Sequence, residues 1–210
     1  MKKKKRVSRK IKIMVSIVMI IILIILGYLY LKPSKPKKAQ KAVKIEEKIE
    51  SHGYELAENE TDYYKDLFKN LKIVLNDKPL NEEKYATLIG QLFLADFFNL
   101  DNKQSKNDVG GLQFVYSDFR DDFEKYAKEG VYHYVESNLY GDRKQKLPIV
   151  TEVTVLNVEQ MEITYLDTRD KNGYQVDLKV SYAEDMGYQT SATLYLIHHN
   201  DKLEIVKMTK

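Results

Sequence analysis

Cysteine is absent from all 210 residues. That removes disulfides, thiolate catalysis, cysteine-based zinc sites and a lipoprotein anchor together. A disulfide-free domain outside the cytoplasm suits a bacterium whose envelope makes no disulfides, and usage rich in Lys, Ile, Asn and Tyr is compatible with a low-GC Gram-positive source. Acidic residues are missing from the first 44 positions, which hold 14 of the 34 Lys and Arg residues. The remainder carries 20 basic against 31 acidic residues, a net charge of −11. A folded part with that sign repels phosphate backbones, so nucleic acid is not an expected partner.

Recognisable chemistry is also missing. There is no H-E-x-x-H, no G-x-x-x-x-G-K-[ST] phosphate loop and no internal repeat. Gly110-Gly111 lacks the phosphate-loop frame. Of the histidines, His52, His133, His198 and His199, none has a second histidine four positions on. His198 and His199 are adjacent on a strand and so point to opposite faces, which prevents both from holding one metal. Surface or hairpin-end roles are expected for them. No residue is assigned a catalytic, cofactor-binding or metal-binding role, no cofactor is implied, and the expectation is that the chain is not an enzyme.

What the sequence does contain begins with Ile13 to Leu31, an uncharged apolar run bounded by lysines. As a helix it is about 28 Å long at roughly 1.5 Å per residue, close to the hydrocarbon thickness of a bilayer. A transmembrane helix over 13–31 is therefore expected, with Tyr28 and Tyr30 at an interface. Residues 1–12 form a basic tail of the kind that also opens a cleaved signal peptide. The long apolar run and the lack of a small-x-small cleavage site in GYLYLKPSKP favour an uncleaved signal anchor. Eight basic residues precede the span and six follow it within 32–44, so the positive-inside rule places the N-terminus in the cytoplasm. Residues 32–44 read as an extended Pro-containing stalk whose lysines either meet anionic lipid headgroups or form a solvated linker. Residues 45–210 then make one extracytoplasmic domain of ordinary size.

Inside that domain, residues 43–58 read as a helix end followed by a short strand. Tyr64, Leu67, Phe68, Leu71, Val74 and Leu75 make one apolar stripe behind a Thr61 cap, a helix from Thr61 to about Leu75. Asn81 caps a second helix, with Leu80 and Tyr85 placed as a hydrophobic staple and an apolar set too wide for one stripe, which predicts the most buried helix. A third helix is expected from a Ser117 cap through Phe123, Ala127, Val131 and Val135 to Gly141, with a kink at Gly130. Asp118, Asp121 and Asp122 would favour its positive end. The period then changes from 3.6 to 2. A long strand with a bulge between Asn157 and Gln160 is followed by three more, with turns at Asn172-Gly173, Asp185-Met186-Gly187 and Asn200-Asp201.

Helices followed by a run of antiparallel strands predict an α+β domain, three helices packed on a four-stranded meander. This order, the bulged long strands and the ending TLYLIHHNDKLEIVKM resemble the NTF2-like, or cystatin-like, superfamily over roughly residues 60–210. The resemblance is one of pattern and carries no functional residue across. It implies a cone between sheet and helices that Tyr126, Tyr132, Tyr134 and Tyr140 would line, or else core and rim positions for those rings. It also allows the envelope and conjugation-type secretion assemblies in which singly anchored members are known. Two function classes follow: an interaction module for an envelope protein or a second copy of itself, held at the membrane through residues 1–44, or a small-ligand or enzymatic pocket protein. The absence of a nucleophile paired with a base favours the interaction module.

Overall fold

The computed structural model describes residues 43–210 together with Met19, which is helical and exposed. The chain divides into two units, Met1–Lys38 and Ala39–Lys210, and every element below belongs to the second. The expected basic tail, the span at 13–31 (Met19 apart) and the stalk up to residue 42 lie outside the described residues. Among the described residues no helix is long and apolar enough to cross a membrane.

The fold is α+β, three helices and a four-stranded antiparallel meander, preceded by a β-hairpin. That hairpin, β1 (Ile45–Ile49) and β2 (Tyr54–Ala57), replaces the expected helix end. Gly53 turns it with φ +63, and the alternation of buried Tyr54 and Leu56 with exposed Glu55 is a strand signature that decides the segment.

Two helices follow as their caps and stripes require. In α1 (Asp62–Asn76) the Thr61 hydroxyl accepts the Tyr64 N–H at 3.1 Å, and Tyr64, Leu67, Phe68, Leu71 and Val74 are buried. In α2 (Glu82–Phe97) the Asn81 side chain accepts from the Lys84 N–H at 2.9 Å. From Tyr85 onward nearly every residue of α2 is buried, so this helix lies at the centre of the domain. Gly90 lets it approach the sheet, since an added Cβ would sit 2.9 Å from Leu178 Cδ1 and 3.4 Å from Leu194 Cδ1. The layer between helix and sheet is filled by Ile89, Leu92, Phe93, Val176, Leu178, Val180, Leu194 and Leu196. Truncating one such Leu to Ala costs about 2–5 kcal/mol.

The third helix is much shorter than its pattern predicts. Two 3-10 turns, Leu112–Phe114 and Ser117–Phe119, precede α3 (Arg120–Glu129). Ser117 gives its N–H and hydroxyl to Glu204 and does not cap the helix. Asp121 and Asp122 occupy its first turn, while Asp118 stays in the turn before it. The helix stops at Gly130, whose N–H reaches Tyr126 O and Ala127 O, and Tyr132 then turns inward to complete burial. Its hydroxyl donates to Phe97 O at 2.7 Å and accepts the Gly110 N–H at 2.9 Å. Satisfying those two buried backbone groups outweighs the continuing helical period.

The sheet runs β3 (Val150–Tyr165), β4 (Thr168–Tyr182), β5 (Ser191–His199) and β6 (Lys202–Thr209), in that spatial order. The strand is irregular as expected but not where expected: pairing runs unbroken from Asn157 to Gln160, and the register shifts fall between Val155 and Asn157, between Val150 and Glu152 and between Met161 and Ile163. The first turn is not at Asn172-Gly173. The chain reverses at Leu166 and Asp167, Leu166 having φ +50, and β4 continues through Gly173. That glycine serves packing, because a Cβ there would meet Ile163 Cδ1 and Leu196 O, each at 2.8 Å. The Asn200-Asp201 turn is as expected, both residues with positive φ (49 and 61), the combination a two-residue hairpin of mirror-image type I geometry requires.

Candidate functional site

The most polar part of the interior is built on Asp96, the penultimate residue of α2 and the only charged residue on its buried surface. Asp96 Oδ1 is bonded to the Lys103 ammonium and Oδ2 accepts the Gly111 N–H at 2.6 Å. Gly110 and Gly111 are glycines for that approach: a Cβ on Gly110 would overlap Asp96, and Gly111, at φ +76, lies against Phe93. Lys103 is buried. Burial alone lowers an ammonium pKa, but the charges of Asp96 and Glu60 and the hydrogen bond to Asp96 outweigh it, and its pKa is raised.

Glu60 faces this pair from the start of α1. Its Oε2 accepts from Asn102 Nδ2 at 3.2 Å, and Asn59 and Asn102 exchange amide-to-carbonyl hydrogen bonds, both 3.2 Å. Burial, and then the charge of Asp96, push the Glu60 carboxyl up to about 7, against the opposing pull of Lys103 and Asn102. Two carboxylates share one cation. Glu60 and Asp96 line an open surface pocket of about 220 Å³ with Glu55, Gly111 and Gln113. A carboxyl poised near neutrality is suited to carrying a proton, but Asp96 has both oxygens engaged in closing the 101–111 loop. The arrangement joins that loop to α1.

A second group resembles a hydrolytic triad in composition but not in geometry. Glu204 is buried and accepts from His199 Nδ1 at 2.8 Å, from the Ser117 N–H at 3.0 Å and from the Ser117 hydroxyl at 3.2 Å. Ser117 Oγ also lies 3.2 Å from His199 Nδ1. A relay needs the serine on one imidazole nitrogen and the acid on the other. Here both meet the same nitrogen, so the group fastens the Ser117 turn to β6. His198 is directed elsewhere, its Nδ1 2.8 Å from Asp170 Oδ2 and its Nε2 3.3 Å from Glu82 Oε2. Burial would raise Asp170, but hydrogen bonds from the His198 and Asn172 backbone and from the His198 ring hold it below its ordinary value.

His52 lies beside Tyr54 and Tyr85, and His133 borders a charged surface hollow of about 420 Å³ with Asp121 and Lys125. Among the described residues no group of three or more His, Asp or Glu is arranged to hold a metal ion. Of the four tyrosines, Tyr132 is fully buried, whereas Tyr126, Tyr134 and Tyr140 are exposed, the arrangement of core and rim positions.

The sheet's two edges differ. The β6 edge is covered at Ile205, where Val115 forms a bridge and the Tyr116 N–H donates to Ile205 O at 3.0 Å. This carries Tyr116 over to the other face of the sheet, where it packs with Phe119, Ile163 and Ile197 in a small second core. The β3 edge is closed only in its first part, at Val150, whose N–H donates to Asn99 Oδ1 at 2.9 Å, and at Val153. There Tyr63 Oη accepts the Val153 N–H at 2.8 Å, and Val153 O accepts from Tyr63 Oη at 3.3 Å and from Gln91 Nε2 at 2.7 Å. Val180, opposite Val153, sends its N–H the other way to Thr190 O. By the alternation of an antiparallel ladder, Val158 and Gln160, opposite Val176 and Tyr174, also direct their N–H and C=O groups away from β4. Among the described residues none outside β4 hydrogen-bonds to the β3 backbone beyond Val153. Neither this edge nor the Asp96 group was singled out by the sequence, although an aspartate inside LFLADFF was visible there as an anomaly.

Comparison with known proteins gives no match: no family model, no curated protein and no solved structure is similar to the chain.

Proposed function

We propose that the chain is a membrane-anchored interaction module of the bacterial cell envelope, with an NTF2-like domain held outside the membrane by the 13–31 helix. The observation that carries this reading is the uncovered β3 edge beyond Val153, a row of backbone donors and acceptors that nothing outside β4 covers among the described residues. Exposed edges of this kind are templates for a further strand. A filled layer between α2 and the sheet supports it from the other side, because the ligand cone of an NTF2-like pocket protein would occupy that space. Tethering by residues 1–44 adds to the effect by holding the edge near envelope partners, with membrane lipid as the second contact of the chain.

The test is crosslinking of the full chain in intact cells, followed by identification of what is joined to residues 150–165. A protein partner, or a second copy, is the expected product. Recovery of the chain joined to nothing, with a small molecule co-purifying, would overturn the reading. Protease shaving of intact cells checks the orientation: residues 45–210 should be cut without lysis. The small-ligand reading retains one supporting feature, the pocket at Glu60 and Asp96, and predicts that a co-purifying molecule is lost on Glu60→Gln.

A further inference from the structure

We propose that the free part of β3, from Val155 to Tyr165, accepts an extended basic segment of a partner protein as a fifth strand. The inference rests on the interaction reading above and names the surface and the chemistry of the partner.

The edge has the required length and backbone. Eleven residues at about 3.3 Å each give roughly 30 Å once the bulges are allowed for, enough for a partner strand of six to eight residues. Leu156, at the bulge, is 61% exposed and offers an apolar contact at one end of the row. On the core side Val155 and Val158 are only partly buried, so a partner side chain there would complete their cover.

Charge decides between a second copy and a different partner. β3 contains Glu152, Glu159 and Glu162, all exposed, and no Lys or Arg. Only Glu162 has an ion-pair partner among the described residues, Arg169 at 2.8 Å. The start of α2 adds Glu82 and Glu83 on the helix side, and their charges, after burial, help raise the Tyr174 phenol. Antiparallel pairing of β3 with β3 of another copy, centred on Glu159, would set that glutamate directly against its own copy, which is unfavourable, and other registers bring together two strands that hold glutamates and no Lys or Arg to pair them. A strand with Lys or Arg on its solvent face, opposite Glu159, and apolar residues on its core face meets both requirements.

The experiment uses the full chain in detergent micelles and two synthetic eight-residue probes, one alternating Lys and Val, the other Glu and Val. Backbone amide exchange is read at Val158 and Gln160, whose N–H groups face out, and at Asn157 and Glu159, which face β4 and serve as fold controls. The Lys-Val probe should slow exchange at Val158 and Gln160 several-fold and the Glu-Val probe should not. Glu159→Lys should weaken the probe about threefold to tenfold. Gln160→Pro, which removes an outward N–H without touching the β3–β4 ladder, should abolish protection of Val158 while the controls stay protected. Absence of protection by the Lys-Val probe at millimolar concentration, or equal protection by both probes, overturns the proposal. Protection that rises with protein concentration alone overturns it in favour of a second copy. If crosslinking in cells captures a partner equally well with Gln160→Pro, the β3 assignment fails while the interaction module stands.

Discussion

The Tyr63 hydroxyl on α1 binds both backbone groups of Val153, accepting its N–H at 2.8 Å and lying 3.3 Å from its carbonyl oxygen. One phenol thereby stands in for a neighbouring strand, and it marks where the protected part of β3 stops. The outward groups past it, at Val158 and Gln160, have no such substitute among the described residues.

Removing that hydroxyl should open the edge further. Tyr63→Phe is expected to destabilise the domain by about 1 kcal/mol, the net value of a partly exposed hydrogen bond, since Gln91 still holds the Val153 carbonyl. Urea denaturation checks the stability, and exchange at the Val153 amide should accelerate. An unchanged Val153 exchange rate would show that the hydroxyl does not close this position.

The Glu60 carboxyl gives the domain a distinctive pH dependence. Its folded value is raised from 4.5 to about 7, so its contribution to stability is full below about pH 4.5, declines as pH rises through 7, and is constant above. The loss across that window is about 3 kcal/mol. Glu60→Gln should remove it, making the variant more stable than the wild type at pH 8 and about equal at pH 4. The difference between the two unfolding curves isolates Glu60 from groups of opposite sign such as Asp170. A wild type and variant with parallel pH profiles would refute the assignment.

Gly90 sets the separation of helix and sheet. Gly90→Val should cost about 1–3 kcal/mol in spite of valine's better helix propensity, because the added branches enter space held by Leu178 and Leu194. A lowered Tm with unchanged far-ultraviolet dichroism is the expected result. A rise in Tm would mean that α2 moves away from the sheet at little cost.

The sequence by itself determined the elements whose signals are local. Both α1 and α2 carry a cap, followed in α1 by one apolar stripe and in α2 by an apolar set wider than a stripe, β3 to β6 alternate, and Asn200-Asp201 is paired turn chemistry, so an α+β domain with a four-stranded meander was legible from residues a few positions apart. Features that depend on residues distant in the chain were settled only by tertiary contact. Asn172-Gly173 has the spelling of a turn, yet Gly173 is a glycine because Ile163 and Leu196 approach its backbone, and the reversal moves to Leu166. The third helix has apolar residues at the right spacing to reach Gly141, yet it ends at Gly130 because the Tyr132 hydroxyl satisfies Phe97 and Gly110. The Asp96, Lys103 and Glu60 group and the half-closed β3 edge are of the same kind. Burial and unpaired backbone are properties of what neighbours a residue in space, and a periodic pattern along the chain does not encode them.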